Sequence, residues 1–234
     1  MAAAAASRTS HPEVTAQRET FERLKALLSA KPSPLPAEAL IPTAIPELDR
    51  LLDGGFPAGI IATLEGETGG WSLAAGLVAQ MTRRSLVAIL DDGALYPPGL
   101  AEAGAVLDRV LVVPARKALA VARAADILLR SRICRLVLMP LVTLRDAIWD
   151  RLAKLAHRSG TLLIVVAARA GAALSAAASV RLHCALERVF VRGGRGLWGI
   201  LDGFEITVGV RKHRQMAAGR TARVRVGHVS ATES

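Results

Sequence analysis

From residue 45 onwards, short apolar runs alternate with segments whose apolar residues recur every three or four positions. The runs predict strands at residues 60–64, 86–90, 110–113, 136–139 and 161–167. The periodic segments predict helices at residues 45–53, 71–82, 98–105, 117–130 and 144–157, the first of which ends at Gly54 and Gly55. Strands that are apolar throughout indicate a sheet covered on both faces, and the intervening helices indicate parallel crossovers. The pattern therefore predicts an α/β fold with a mostly parallel sheet.

The two ends of the chain depart from this alternation. Residues 180–192, 204–211 and 221–226 are β-rich and separated by glycine-rich turns, which predicts an antiparallel C-terminal extension of the same sheet. Near the N-terminus, residues 15–30 carry Phe21, Leu24, Leu27 and Leu28 on one helical stripe. This amphipathic helix must bury its stripe either on its own domain or on another molecule.

The predicted domain organisation follows from these ends. Residues 1–14 are expected to be a disordered lead, and residues 15–44 an N-terminal helix with a stiff linker, because three prolines lie within residues 32–36. Residues 45–234 form the α/β domain. The 52% hydrophobic content and mean hydropathy of +0.36 suit a chain with a sizeable core and exclude a disordered protein.

Cysteine use and hydropathy bear on the compartment. Cys134 and Cys184 lie far apart and outside any C-x-x-C pair, which predicts buried free thiols in a reducing cytosol. The N-terminus lacks a signal-peptide stretch, and the apolar runs are far shorter than the ~20 residues of a membrane span. We therefore expect a cytoplasmic protein with no membrane partner.

The strongest motif candidate is the turn after the first predicted strand of the domain, LEGETGGWSLAAGL at residues 64–77. A phosphate-binding loop has the pattern G-x-x-x-x-G-K-[ST], in which backbone N–H groups hold phosphate and the lysine neutralises its charge. Gly70 and Ser72 match the second glycine and the hydroxyl, whereas Glu65 replaces the first glycine and Trp71 replaces the lysine. An indole cannot offset phosphate charge, and Glu65 adds a negative charge nearby.

This loop, with Gly66, Gly69, Gly70, Trp71 and Ser72, therefore has the shape of a phosphate site without its charge. We expect no bound nucleotide or other cofactor. Two alternatives stay open: residual nucleotide binding through the glycines and Ser72, and an ordinary glycine-rich turn with no ligand.

Other chemistry has weaker support in the sequence. Asp91 and Asp92 end the second strand, where turn-capping carboxylates are more common than metal ligands. The histidines do not have metal-ligand spacing, and the sequence contains no G-x-S-x-G nucleophile motif. We therefore predict neither a metal site nor catalytic residues.

The net charge of +10 is concentrated in the last part of the chain. Arg211, Arg220, Arg223 and Arg225 are candidate contacts to DNA or to an acidic partner protein. A solvated strand face, or an arginine-rich codon bias, is the alternative explanation.

Three segments carry a family resemblance. ELDRLLDGGFPAGIIATLEGETGGWS (residues 47–72) resembles the segment of RecA recombinases that leads into their nucleotide loop. VAILDDGALYPPGLAEAG (87–104) resembles their second strand and its exit, and VRKHR (210–214) resembles a late basic segment. The G-G-F-P-x-G entry, the damaged phosphate loop and Leu95-Tyr96-Pro97-Pro98-Gly99-Leu100 are more similar to ImuA, a RecA relative associated with error-prone translesion synthesis. The resemblance extends over residues 15–226.

The resemblance implies a RecA-like core without ATPase chemistry. Trp71 stands at the lysine position, Gly93 at the catalytic glutamate, Met139 or Pro140 at the metal-binding carboxylate, and Ala167 or Ala168 at the γ-phosphate-sensing glutamine. The segments at residues 141–143 and 169–179, where recombinases carry DNA-binding loops, lack the aromatic and basic groups of a single-strand platform.

The resemblance also implies a role and partners. The expected function is that of a catalytically inactive adaptor or regulator in the DNA-damage (SOS) response, in contact with RecA, an ImuB-type polymerase-like protein and an error-prone polymerase. By analogy with recombinases, Phe21, Leu24, Leu27 and Leu28 on the N-terminal helix, together with Lys212 and Arg214, are expected to form the partner interface. The alternatives are a sequence-independent DNA-binding protein and a cell-division inhibitor of the SulA kind.

Overall fold

A computed structural model describes residues 39–93, 95–192 and 200–227 of the chain. The chain divides after Ser33, and all described residues belong to the unit Pro34–Ser234. The predicted disordered lead and the predicted amphipathic helix at residues 15–30, with its stripe of Phe21, Leu24, Leu27 and Leu28, lie outside the described residues.

Strands and helices alternate through the described part of the chain. The strands are β1 (Leu40–Ile41), β2 (Phe56–Pro57), β3 (Ile61–Glu65), β4 (Leu86–Asp91), β5 (Val110–Pro114), β6 (Cys134–Pro140), β7 (Leu162–Ala167), β8 (Val180–Arg192), β9 (Ile200–His213) and β10 (Thr221–Gly227). The helices are α1 (Pro46–Leu51), α2 (Gly70–Met81), α3 (Pro97–Glu102), α4 (Ala118–Ser131), α5 (Asp146–Ser159) and α6 (Ala172–Ala177), with a 3₁₀ turn at Leu107–Arg109.

Eight of the strands form one sheet, in the order β10-β9-β8-β3-β7-β6-β4-β5. All pairs from β8 to β5 in that order are parallel, and β8, β9 and β10 pair antiparallel. The predicted α/β fold, with its parallel sheet and antiparallel C-terminal extension, is confirmed. The topology places β3 at the centre, between β7 and β8.

In the central parallel part of the sheet both faces are covered, as the uniformly apolar strands predict. Successive residues of a strand point to opposite faces, so Ala62 and Leu64 of β3 pack in a core with α2, while Ile61 packs in a second core with α4 and α5. In β7 all six residues are buried. A central strand such as β7 therefore carries apolar residues on both faces, because a strand with one polar face would leave one of the two cores without contacts.

Two local features differ from the sequence predictions. The segment at residues 169–179 contains a helix, α6, whose Leu174 is buried against the second core. Its alanines favour a helix but supply no polar face for a periodicity to detect. Within the predicted linker, Leu40–Ile41 pair with Phe56–Pro57, and Ile41 is buried.

Cys134 and Cys184 are free and buried, as predicted. Burial raises the pKa of each thiol to about 12, with a smaller contribution from Glu65 at Cys184. Among the described residues, no helix has the length and apolarity needed to cross a membrane.

Candidate functional site

The glycine-rich loop joins β3 to α2 at the carboxyl ends of the parallel strands, which is where open α/β sheets hold ligands. β3 ends at Glu65 and α2 begins at Gly70. The residue that precedes the helix, Gly69, has a φ of 86° and no side chain to cap the first turn. The sequence prediction of a strand, a glycine-rich turn and a helix at this point is confirmed.

The glycine-rich loop between β3 and α2 packs closely against β8. A Cβ on Gly66 would lie 2.0 Å from the carbonyl oxygen of Cys184, and one on Gly69 would lie 3.1 Å from the backbone nitrogen of Leu186. The Gly66 N–H donates to the carbonyl of Ala167 at 3.0 Å, and the Leu186 N–H donates to the hydroxyl of Thr68 at 3.4 Å. The glycines therefore serve a close approach between the loop and the protein's own strands.

A buried ion pair lies at the base of the loop. Arg181 of β8 donates from Nε to Oε1 of Glu65 at 2.7 Å and from Nη2 to Oε2 at 2.8 Å. The Thr63 hydroxyl donates to Oε1 at 2.7 Å, and the Ala170 N–H donates to Oε2 at 3.4 Å. Glu65 is 2% exposed and Arg181 is 22% exposed. Such bidentate pairs combine charge with a fixed geometry, so this one connects β3, β8 and the turn before α6.

The environment of Glu65 changes the interpretation of its charge. Burial by itself raises the pKa of this carboxyl, but the hydrogen bonds from Arg181, Thr63 and Ala170 outweigh it and bring the pKa to about 2. The sequence analysis expected Glu65 to add negative charge beside the loop. In the structure that charge is compensated by Arg181, because the parallel pairing of β3 with β8 places Arg181 beside Thr63.

Trp71 and Ser72, in the first turn of α2, line a cavity of about 710 Å³. The cavity lies between α2, α3, the end of β4 and the ends of β9 and β10. Trp71 is 49% exposed there. Four of the lining residues that the structure describes are carboxylates, and none is lysine or arginine. The described part of the lining therefore offers a phosphate group carboxylates and no lysine or arginine.

The other positions aligned with nucleotide chemistry carry apolar or turn-forming residues. Met139 is fully buried, with Val165 as its ladder neighbour, and Ala167 ends β7. At the end of β4, Oδ1 of Asp91 accepts the N–H groups of Gly93 and Leu95, both at 2.9 Å. The prediction that Asp91 caps a turn is confirmed. Within the described ranges, no three His, Cys, Asp or Glu residues come together as a metal site.

Several of the basic C-terminal residues form ion pairs or hydrogen bonds within the protein. Arg220 pairs with Asp53 at 2.9 Å and donates to the carbonyl of Arg50, and its hydrogen bonds hold the pKa of Asp53 below the usual range. Lys212 donates from Nζ to the carbonyls of Ser175 and Ala176, at the C-terminal end of α6. Burial lowers the pKa of Lys212, and the nearby Arg214 and Arg181 lower it further. Lys212 therefore stabilises the end of α6.

One face of β8, β9 and β10 carries exposed cations. Arg223 and Arg225 are exposed while Val224 and Val226 are buried, so the two arginines share the exposed face of β10. Arg225 lies 4.3 Å from the ring centroid of Phe190, and it pairs with Asp202 at 3.4 Å. Arg211 and Arg214 are exposed at the far end of β9 and just beyond it.

Sequence reasoning missed the partnership of Glu65 with Arg181 and the groove beside Trp71. A local signal exists for the ion pair: Glu65 is the charged last residue of the mostly apolar strand at residues 61–65, and Arg181 lies near the start of the first β-rich C-terminal segment. Only the strand order shows that these two side chains meet. The groove combines residues from at least five separate segments of the chain, so no local sequence pattern marks it.

Comparison with known proteins establishes the class of fold. No family model and no curated protein match the chain. The crystal structure of the RadB recombinase matches it with a TM-score of 0.61 and 18% sequence identity, over 80% of this chain and 96% of that one. The chain therefore has a RecA-like fold, as the resemblance in the sequence predicts. At this identity the likeness concerns the fold, and the assignment to the ImuA family stays a prediction.

Proposed function

We propose that this protein is a catalytically inactive RecA-like adaptor or regulator in the DNA-damage response. In this role it acts in error-prone translesion synthesis through contacts with RecA, an ImuB-type polymerase-like protein and an error-prone polymerase. The observation that carries the proposal is the cavity beside Trp71, whose described lining contains four carboxylates and no lysine or arginine. A RecA-like protein that lacks the cations needed to bind phosphate can still use its fold to bind other proteins. The role in translesion synthesis is inferred from the sequence resemblance to ImuA.

The side chains at the catalytic positions support the inactive state. Hydrolysis of a nucleotide needs cations on the phosphates and a carboxylate that holds metal or water. Trp71 offers one neutral donor, and Met139 is buried among apolar side chains. The ion pair of Glu65 with Arg181 uses a cation that would otherwise be near the loop.

We expect calorimetric titration with ATP and Mg²⁺ to give no saturable heat, and a phosphate-release assay to give no turnover, with RecA as the positive control. The Trp71→Lys variant restores the missing cation, yet it should still show no turnover because Met139 provides no carboxylate. Saturable ATP binding by the unaltered protein would contradict the proposal.

Contact with RecA is tested with purified proteins. We expect immobilised chain to retain RecA, and strand exchange by RecA to change when the chain is added. A Leu24→Glu/Leu28→Glu variant should lose both effects if the predicted N-terminal helix forms the interface. An Ile127→Glu variant, altered at an exposed apolar residue of α4, is the matched control and should keep them. Absence of RecA binding and of any effect on strand exchange would reject this part of the proposal.

DNA binding without RecA is the second candidate function. The exposed Arg223 and Arg225, which share a face with Phe190 stacked under Arg225, favour it. The salt dependence of DNA binding tests this second function. The affinity for DNA should fall about tenfold or more between roughly 50 and 200 mM salt, because each phosphate contact releases counterions from the DNA.

A further inference from the structure

The strand β10 lies at one end of the eight-stranded sheet, and β9 is its only partner strand among the described residues. Just before β10 begins, the Val210 N–H donates to the carbonyl of Arg220 at 2.8 Å. Because hydrogen-bonded residues alternate along an antiparallel pair, the even-numbered residues of β10 exchange their hydrogen bonds with β9. The backbone N–H and C=O groups of Thr221, Arg223 and Arg225 therefore point to the outer edge of the sheet.

The side chains of the same three residues lie on the exposed face of β10. Within the part of the chain that the structure describes, Arg223 has no ion pair and no hydrogen-bonded side-chain partner. Arg225 pairs with Asp202 at 3.4 Å and lies over the ring of Phe190, yet 63% of its side chain stays exposed. An ion pair this exposed contributes little to stability, so the guanidinium group of Arg225 can also bind a second carboxylate.

The acidic residues beside Arg225 belong to β9. Glu205 lies opposite Arg225 on the ladder, and Asp202 pairs with Arg225 from the same strand. Both are one strand, or about 4.8 Å, farther from the outer edge than β10 is. The sequence of β10 itself, residues 221–227, contains no Asp or Glu. A segment that lies along the outer edge therefore meets Arg223 and Arg225 first.

The outer edge of β10 offers backbone hydrogen bonds and positive charge together. An unpaired strand edge can accept a further strand, whose backbone groups continue the ladder. A second copy of β10 is a poor occupant, because arginines would lie against arginines and like charges opposite each other destabilise a strand pair. Nucleic acid can contact the guanidinium groups, but it has no peptide backbone with which to continue the ladder. An extended polypeptide with Asp or Glu at alternate positions satisfies both features.

We propose that the outer edge of β10 binds an extended acidic segment of a partner protein as an added strand of the sheet. Alternate carboxylates of that segment lie against Arg223 and Arg225, and its backbone bonds to the outward N–H and C=O groups of β10. This inference rests on the proposed adaptor role and specifies the chemistry of one partner. It uses the same arginines as the DNA-binding alternative, and the backbone hydrogen bonds distinguish the two.

The test uses the full-length protein and labelled synthetic peptides of about ten residues, the length of a long strand. In one peptide glutamate alternates with valine or threonine, and in the second lysine replaces glutamate. Fluorescence anisotropy should show saturable binding of the glutamate peptide and no binding of the lysine peptide. A third peptide has the glutamate sequence with an N-methyl group on each glutamate, whose N–H would otherwise donate to β10. It keeps the charge but cannot continue the ladder, so it should not bind.

A charge-reversal variant tests the contact with β10. Arg223→Glu should weaken binding of the glutamate peptide about tenfold and should create binding of the lysine peptide. The matched control is Arg123→Glu, which reverses an exposed arginine of α4 and should bind the glutamate peptide as the unaltered protein does. Hydrogen exchange followed by NMR locates the added strand: the glutamate peptide should slow exchange of the Thr221, Arg223 and Arg225 amides, which are not bonded to β9.

Three results would overturn the proposal. The first is equal weakening of peptide binding in Arg223→Glu and Arg123→Glu. The second is equal binding of the N-methylated peptide, which would show attraction between charges without an added strand. The third is unchanged exchange of the edge amides; if Arg223→Glu also weakens binding of a single-stranded oligonucleotide, the arginines serve the DNA-binding function instead. These assays contain no RecA, so their failure is distinguishable from loss of RecA binding.

Discussion

Replacement of Arg181 by methionine should destabilise the protein by about 3 kcal/mol at neutral pH. The substitution keeps much of the side-chain volume but leaves the carboxylate of Glu65, which is 2% exposed, without its cation. Removing one partner of a buried ion pair is costly because the remaining charge stays desolvated, and losses of about 3–5 kcal/mol are typical. Urea unfolding followed by circular dichroism measures the change in the free energy of unfolding.

The double variant Glu65→Gln/Arg181→Met separates the charge effect from the loss of packing. Its buried amide is neutral: the amide oxygen can accept from the Ala170 N–H while the NH2 group donates to the hydroxyl oxygen of Thr63. It should therefore be more stable than the single Arg181→Met variant by about 2 kcal/mol. If Arg181→Met is as stable as the double variant, the buried charge of Glu65 is not what destabilises Arg181→Met, and the prediction is wrong. Exposed Arg223→Met serves as a control for replacing an arginine on the same C-terminal sheet.

The pH dependence gives an independent measure of the same pair. The pKa of Glu65 lies at about 2 in the folded protein, below its ordinary value of 4.5. The stabilisation by the ionised carboxylate is therefore complete above that ordinary value and is lost as the pH falls towards about 2. In Arg181→Met the buried carboxylate has lost its main partner, so its pKa should rise. The stability difference between the two proteins should shrink between about pH 7 and about pH 3.

The predictable part of this fold is the part encoded by neighbouring residues. The run that forms β7 is apolar at every position, and α2 follows a glycine-rich turn, so both elements have strong local signals. Helix α6 has no such signal, because its alanines provide no contrast between faces. The strands β1 and β2 contain two residues each, which is too short for any periodicity.

The site depends on pairings that only the complete sheet defines. Arg181 follows Glu65 by 116 residues, and the two meet because β8 lies beside β3. The groove likewise brings Leu201 to Trp71 and Tyr96 through the return of β9 and β10 towards α2. The absence of a lysine at position 71 is visible in the sequence. The carboxylates that line the groove come from separate parts of the chain, so only the folded structure shows that they lie together.

These arrangements suggest how a phosphate loop can be retained as structure. Where a nucleotide would supply contacts to the loop, this chain has the carbonyl of Cys184 against Gly66 and the backbone of Leu186 beside Gly69. The hydroxyl of Thr68 also accepts from Leu186. The loop is therefore held by β8, and its conformation should not depend on a ligand.

Substitution of Gly66 by alanine should consequently destabilise the protein by about 4 kcal/mol, although it adds a single methyl group. The φ of Gly66 is 143°, a region that alanine adopts only with strain, and the new Cβ would lie 2.0 Å from the carbonyl oxygen of Cys184. The matched control is Gly104→Ala, where φ is 90° and nothing lies within 4 Å of the added Cβ. That variant should lose only about 1–2 kcal/mol, from backbone strain. Equal losses in urea unfolding of the two variants would show that the contact with β8 does not hold the loop.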